Sequence, residues 1–234
     1  VRGLLGDVEP LSTSFLACLG ERWRAEHRAW KDLPLPSDVV YLWADGLRVK
    51  AGLEPEQAAL LVVIAAFRDG SRRVVGVESG DPSSVGTWLA LLRNLTDRGL
   101  GVPALVIGDG ASGLWAAISA LGWTSARQDC WNHAIDDLLQ VFPRGRRPRA
   151  GDRLRAISNA SDRATAEKLR DAFIKGCRGR CAPAGERLRA DWEHLMGFLA
   201  FPSDHWPHLR TTNVVESPLV AVRLRTSSTR GHQP

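Results

Sequence analysis

The stretch AALLVVIAAF, Ala58 to Phe67, carries no polar side chain over its whole length. It is too short to cross a bilayer as a helix, which takes about 20 apolar residues. It also lacks the alternation that would leave one face to water. A run of this kind reads as a strand buried on both faces. Such a strand needs partners on its edges and helical layers above and below, so it places the chain among the α/β folds. No apolar stretch in the 234 residues is longer, and no membrane span is expected.

Other strands gather around it. VVYLWAD (Val39 to Asp45) is rich in β-branched and aromatic residues and reads as the first strand, with Ala58 to Phe67 as the second. Arg68-Asp69-Gly70-Ser71 is a turn signal. RRVVGVE (Arg72 to Glu78) then pairs back as the third strand of a hairpin. PALVIGD (Pro103 to Asp109) is the fourth, and TSARQD (residues 124–129) a short fifth. Between them lie two helices. Ser84 to Leu100 places Trp88, Leu91, Leu92 and Leu95 on one face and is ended by Gly99, and Ser112 to Gly122 follows. An earlier helix spans Leu11 to Trp30, with Ser12 or Ser14 as its cap and Phe15, Leu19 and Trp23 on one face. From about Trp131 to Met196 the periodicity is helical throughout, and Leu138, Leu169, Phe173, Leu188 and Trp192 are its expected apolar contacts. Arg144 to Arg153, RGRRPRAGDR, reads as a basic loop. The expectation is a mixed five-stranded sheet flanked by helices, with a large helical segment behind it.

Two strands share an ending: YLWADG, Tyr41 to Gly46, and LVIGDG, Leu105 to Gly110. A strand that ends in Asp-Gly presents its carboxylate where the chain turns, at the sheet edge where ligands of open α/β sheets sit. Two such carboxylates on neighbouring strands would repel unless a hard divalent cation lay between them. Asp-Gly is also an ordinary turn dipeptide, so a third carboxylate decides between the readings. Glu216, in RTTNVVESPLVAVRLRT (residues 210–226), is the candidate. Thr211 or Thr212 can cap the helix it opens. The formal net charge of +5 and sequence pI near 9.4 are compatible with nucleic acid without requiring it. Cys18, Cys130, Cys177 and Cys181 show no framework spacing, which suits a reducing cytoplasm.

In this order, WADG, GDG, DCWNH and LRTTNVVES resemble segments of the bacterial insertion-sequence transposases of the Mutator type (MULE-like). The similarity runs from about Asp38 to Thr226, and the RTTNVVES and Q-x-C-W-N-H segments carry its specificity. The resemblance implies a ribonuclease H-like sheet with an all-helical insertion before the last acid. It implies a DDE catalytic triad of Asp45, Asp109 and Glu216 holding two Mg²⁺ (or Mn²⁺) ions. These would activate a water or DNA 3′-hydroxyl and stabilise the leaving oxygen. The implied partners are double-stranded DNA, as terminal inverted repeats and target, and a second copy of the chain. The implied setting is the bacterial cytoplasm, at the nucleoid. Gly46 and Gly110 would let a phosphodiester approach closely. Cys130, His133 and Asn213 are read as supporting the site. The spacing of Cys130 and His133 makes a weak zinc half-site with no well-spaced second pair, although Cys177 and Cys181 could offer one on a helix. Arg146, Arg147, Arg210 and Trp131 are the DNA-contact candidates, Trp131 by stacking on a base or, alternatively, as a core residue.

The implied domains are a helix-turn-helix remnant (1–36), a catalytic domain (37–130 and 206–226), a helical insertion (131–205) and a tail (227–234). Some positions depart from the pattern. Ser83, with Asp81 nearby, stands where the family usually has Glu, and Ala134 and Asp137 stand where it has Arg and Asn. A start at Val1 and a stop soon after Glu216 lead to the expectation of a shortened copy. Three functions stay open at this point: a strand-transfer enzyme, a catalytically inactive DNA-binding remnant, and a ribonuclease H-like nuclease.

Overall fold

The structure, a computed structural model, describes residues 12–50, 57–110 and 112–215. The chain divides into two units, Val1–Leu35 and Pro36–Pro234. In the first, helix α1 (Thr13–Lys31) is capped by Ser12, whose hydroxyl accepts the Phe15 amide at 3.2 Å.

The second unit holds the expected sheet. Strands β1 (Val39–Lys50), β2 (Gln57–Phe67), β3 (Arg72–Ser79), β4 (Leu105–Gly108) and β5 (Ala126–Asp129) lie in the order β3-β2-β1-β4-β5. The β1–β2 and β2–β3 pairs are antiparallel, and β4 joins β1 and β5 in parallel. The Asp69-Gly70 turn closes the β2–β3 hairpin, with Asp69 Oδ1 accepting the Ser71 amide at 2.8 Å. As the unbroken apolar run requires, β2 is interior: Leu61, Val62, Val63 and Ala65 are at most 1% exposed.

The alternation of side chains along a strand divides the core in two. Tyr41, Trp43, Val62, Ile64, Leu105 and Ile107 share one cluster with the helices that follow β5. On the opposite face pack α2 (Val85–Asp97) and α3 (Ser112–Ala120), Leu91 of α2 lying over Gly76 and Leu114 of α3 over Gly108. Trp43, Trp88 and Trp131 are all at most 2% exposed, and burying a large apolar side chain of this sort stabilises by about 1.5–3 kcal/mol.

After β5 the described chain is helical. It forms α4 (Trp131–Leu139), α5 (Arg147–Ser158), α6 (Arg163–Gly176), α7 (Ala182–Ala190), α8 (Trp192–Leu195) and α9 (Trp206–Leu209), with short 3-10 turns between. Leu138, Phe173, Leu188 and Trp192 are buried as expected, but Leu169 is 37% exposed. The inner face of α6 runs through Ala166, Arg170 and Phe173, and Arg170 covers the Trp192 ring at 4.4 Å where a leucine was expected. The basic stretch from Arg144 is not a loop. Arg144–Arg146 form a 3-10 turn and α5 begins at Arg147. Pro148 sits in the first helical turn, where no amide hydrogen is needed. Nor do Cys177 and Cys181 share a helix: Cys177 is the C-cap of α6 and Cys181 ends a 3-10 turn. Among the described residues no helix is long and apolar enough to cross a membrane.

Candidate active site

Asp45 and Asp109 follow the last paired residues of the two central parallel strands. The β1–β4 register ends at Ala44 opposite Gly108, so Asp45 and Asp109 are the next positions on their two chains. The period of two puts both on the face of Trp43 and Ile107, beneath the helices after β5. Neighbouring strands lie about 4.8 Å apart, and both aspartates are near enough to His133 to act on its charge. Asp45 is 1% exposed and Asp109 half-buried.

The two Asp-Gly pairs arise differently. After Asp109 the chain does turn, and Gly110 has φ +85° with open space where a side chain would stand. After Asp45 it does not, because β1 continues to Lys50 and Gly46 pairs with Leu61 of β2. Gly46 serves a close contact instead. A Cβ there would lie 2.5 Å from both Cβ and Cγ of Pro82. The segment carrying Pro82 therefore lies against β1 at Gly46, on the face opposite the Asp45 side chain. In that segment Asp81 accepts the amide and hydroxyl of Ser83 at 2.9 and 2.8 Å.

Cys130 and His133 occupy the first turn of α4, with Cys130 at the N-cap. The Cys130 amide donates to Gly108 O at 2.7 Å, fixing α4 to the strand that leads into Asp109. Its Sγ accepts from the amide and hydroxyl of Thr212 at 3.3 and 3.4 Å. Burial pushes the thiol pKa up, but hydrogen bonds from His133 and Thr212 outweigh it, and the net value falls below the ordinary one. His133 is pushed up to about 9, by hydrogen bonding to Cys130 first. Burial opposes this, and the negative charges of Cys130, Asp45 and Asp109 add to it. A helix N-terminus favours a thiolate for the same electrostatic reason. The His133 ring thus lies in the field of both aspartates.

The segment approaching Glu216 is tied to the same turn. Trp131 N donates to Arg210 O at 2.9 Å, and Asn132 Nδ2 donates to Asn213 Oδ1 at 2.8 Å. Thr212 and Val215 are fully buried. The Thr212 hydroxyl goes to Cys130 rather than capping the helix, whereas Thr211 Oγ1 accepts the Asn213 amide at 3.5 Å. Glu216 lies outside the described residues, and among those that are described no group of three His, Cys, Asp or Glu side chains could hold a metal ion.

The DNA-contact candidates divide. Trp131 is 1% exposed and donates from Nε1 to Leu195 O at 2.8 Å, so its ring is core and no face is open to a base. Arg210 stacks over Phe198 at 5.0 Å and donates to Asn159 Oδ1 at 2.8 Å. Arg147 is exposed, yet it binds the carbonyls of Phe142 and Gln140 at 3.0 and 3.3 Å, holding the exit of α4. Arg146 is exposed, with no acidic partner among the described residues. Sequence reasoning passed over Gln128. This fully buried amide donates to Asp129 O and Leu195 O at 2.7 and 3.0 Å and accepts the Phe198 amide at 2.7 Å. It fastens the returning chain to β5, and its one sequence cue is a polar residue at a core-facing strand position.

A family model described as "Transposase, Mutator family" matches residues 3–234. The chain is 36% identical over 229 residues to the transposase for insertion sequence element IS6120 of Mycolicibacterium smegmatis, covering 97% of this chain and 71% of that protein. It is 35% identical over 235 residues to the transposase for insertion sequence element IST2 of Acidithiobacillus ferrooxidans, covering 97% and 78%. To the transposase for insertion sequence element ISRM3 of Rhizobium meliloti it is 30% identical over 208 residues, covering 88% and 52%.

Proposed function

We propose that this chain, which belongs to the Mutator family of transposases, is a DDE-type enzyme that cleaves and joins DNA at the ends of an insertion sequence. The observation that supports this reading is the position of Asp45 and Asp109, each the residue after the last β1–β4 pair, Ala44 and Gly108. The strand order, with three antiparallel strands followed by two parallel ones, supports a ribonuclease H-like sheet. In this reading the helices from α4 onward are the insertion and Glu216 is the third acid. The four hydrogen bonds from residues 210–213 to the first turn of α4 support that role. They hold the chain that leads to Glu216 beside His133, whose ring senses both aspartates.

The donor set fits a hard divalent cation. Asp45 and Asp109 offer oxygen ligands, and a buried carboxylate beside a second one raises the demand for positive charge. Asp45, Asp109 and Glu216 would hold two Mg²⁺ or Mn²⁺ ions. When bound, such ions lower the pKa of an attacking water or 3′-hydroxyl and neutralise charge on the phosphate. His133, protonated at neutral pH, offsets the repulsion between the aspartates. Cys130 and Thr212 orient its ring, and Asn213 holds the approach to Glu216. Terminal inverted repeats and target DNA are the substrates, two copies act together because two ends must meet, and the work is done at the bacterial nucleoid.

The test is strand transfer on terminal-repeat DNA. Asp109→Asn should abolish cleavage and joining while leaving DNA affinity in low Mg²⁺ unchanged or slightly raised, since one negative charge near the phosphate is gone. Retention of strand transfer by Asp109→Asn would sink the assignment. A wild-type protein that binds DNA but is inert with both metals would instead be a DNA-binding remnant.

A further inference from the structure

Away from the carboxylates, a groove of about 490 Å³ opens between α5, the end of α6 and the connection to α7. Its walls carry Arg146, Arg149, Arg153 and Arg178, its floor is Phe142 and Phe173, and no carboxylate lines it. Elsewhere on the same helices arginines are neutralised: Arg155 pairs with Asp152, Arg163 with Glu167 and Glu193, and Arg187 with Asp137 and Asp191. Arg146, Arg149 and Arg178 are exposed and have no acidic partner among the described residues. Four like charges in one concavity repel one another, and an anion entering it relieves that repulsion.

The arrangement is ordered. Arg153 donates to Ala172 O at 2.7 Å and stacks over the Phe173 ring at 5.3 Å, so one guanidinium is held in place before any ligand arrives. Arg149 and Arg153 are one helical turn apart, about 6 Å along the axis, and the row from Arg146 spans roughly 10 Å. Phosphates along one strand of duplex DNA advance about 3.4 Å per step along the axis and also turn about it, so a row of this length reaches more than one phosphate. One small anion would use one or two of these guanidiniums, whereas a continuous backbone uses the row and Arg178 on the facing wall. The planar guanidinium fork suits phosphate oxygens. The lining has no Asn, Gln, Asp or Glu, and guanidiniums that follow a row of phosphates contact oxygens common to every sequence.

We propose that this groove grips the phosphodiester backbone of duplex DNA without regard to sequence, as a binding site made of residues separate from the carboxylates. The identity of the polyanion rests on the transposase reading. Arg149, Arg153 and Arg178 join Arg146 as its contacts, and Arg147 is excluded because its guanidinium is bound to the carbonyls of Phe142 and Gln140.

The experiment uses the full chain and metal-free buffer, with anisotropy titrations at 50 to 200 mM salt on a terminal-repeat duplex and on a scrambled duplex. The groove variant combines Arg146→Ala, Arg149→Ala and Arg178→Ala, leaving Arg153 because it packs on Phe173. A control removes the same charge outside the groove, with Arg72→Ala, Arg93→Ala and Lys168→Ala, all exposed positions. Each phosphate contact contributes about 0.9 to the slope of log affinity against log salt. The groove variant should lose about 2.7 of that slope on both duplexes, so that the fourfold salt increase costs it roughly 40-fold less affinity than wild type. The control should change the slope by less than about 1. Arg149→Lys should keep most of the binding, which a folding defect would not allow. A groove variant with wild-type slope, a control that loses as much, a loss confined to the terminal-repeat duplex, or a wild type that binds neither duplex overturns the proposal. Strand transfer lost in Asp109→Asn, together with wild-type binding and slope in the groove variant, would leave the catalytic reading standing alone. Groove-dependent binding by a protein inert with both metals would leave the groove standing alone.

Discussion

Replacing Gln128 by leucine should destabilise the protein by about 3 kcal/mol. The side chain is fully buried on β5 and opposes Ile107 in the register, so leucine fills a similar volume against the same apolar neighbours. What disappears is three hydrogen bonds. Leu195 O keeps its other donor, Trp131 Nε1 at 2.8 Å, so its loss is small. The Phe198 amide loses the acceptor it has in Gln128 Oε1 and stays buried, at a cost of about 1–3 kcal/mol. The Asp129 bond contributes about 0.5–1.5 kcal/mol more, which brings the total to about 3 kcal/mol. Trp131→Phe removes the second donor to Leu195 O. Combining it with Gln128→Leu strips that carbonyl of both, so the double variant should lose about 1 kcal/mol more than the sum of the single variants. Urea unfolding followed by circular dichroism gives all four stabilities. A single-variant loss under about 0.5 kcal/mol, or strict additivity in the cycle, would refute the claim that this amide fastens the returning chain to the sheet.

Other outcomes follow from the same geometry. Gly46→Ala should cost about 1–3 kcal/mol in urea unfolding, because the new Cβ would lie 2.5 Å from the rigid Pro82 ring; a neutral result would mean that Pro82 is free to move. His133 should titrate near 9 in an NMR pH series. Cys130→Ala should bring it down, since hydrogen bonding to Cys130 is the largest cause and burial pulls the other way, and Asp45→Asn should lower it by less. Because the folded pKa is raised, the stability His133 contributes is complete below its unfolded value near 6.5 and disappears as pH rises through about 9. A ring that titrates at or below 6.5 would contradict the arrangement. Gly110→Ala should cost about 1 kcal/mol and Gly110→Asn less, because the backbone there is left-handed and only the conformation, not space, is limiting.

The sheet was legible because its cue is continuous. The run from Ala58 to Phe67 has no polar break, and its place inside the sheet follows from that alone. Asp45-Gly46 was misread as a strand end because Asp-Gly is a local turn signal, while the pairing that carries β1 on to Lys50 comes from β2, residues away. Pro148 and Gly151 made the Arg144 to Arg153 stretch look like a loop. Pro148 is placed where a helix tolerates it, and Gly151 packs against Leu139 inside the bundle, a contact no local pattern announces. The core alternative holds for Trp131, and Gln128 is buried for the same reason. Burial is set by the segment at Leu195 to Phe198 that folds back over β5, and the ring and the amide both bond to Leu195 O. The shared strand endings single out Asp45 and Asp109, whereas their place just past the last β1–β4 pair needs the register.

The central claim is that Asp45, Asp109 and Glu216 form one metal site. Mn²⁺ binding by the full chain on a terminal-repeat duplex, followed by electron paramagnetic resonance, tests it with Asp45→Asn, Asp109→Asn and Glu216→Gln. Each variant should lose protein-bound Mn²⁺ while still binding the duplex. Full Mn²⁺ binding by Glu216→Gln, alongside loss in both aspartate variants, would contradict it.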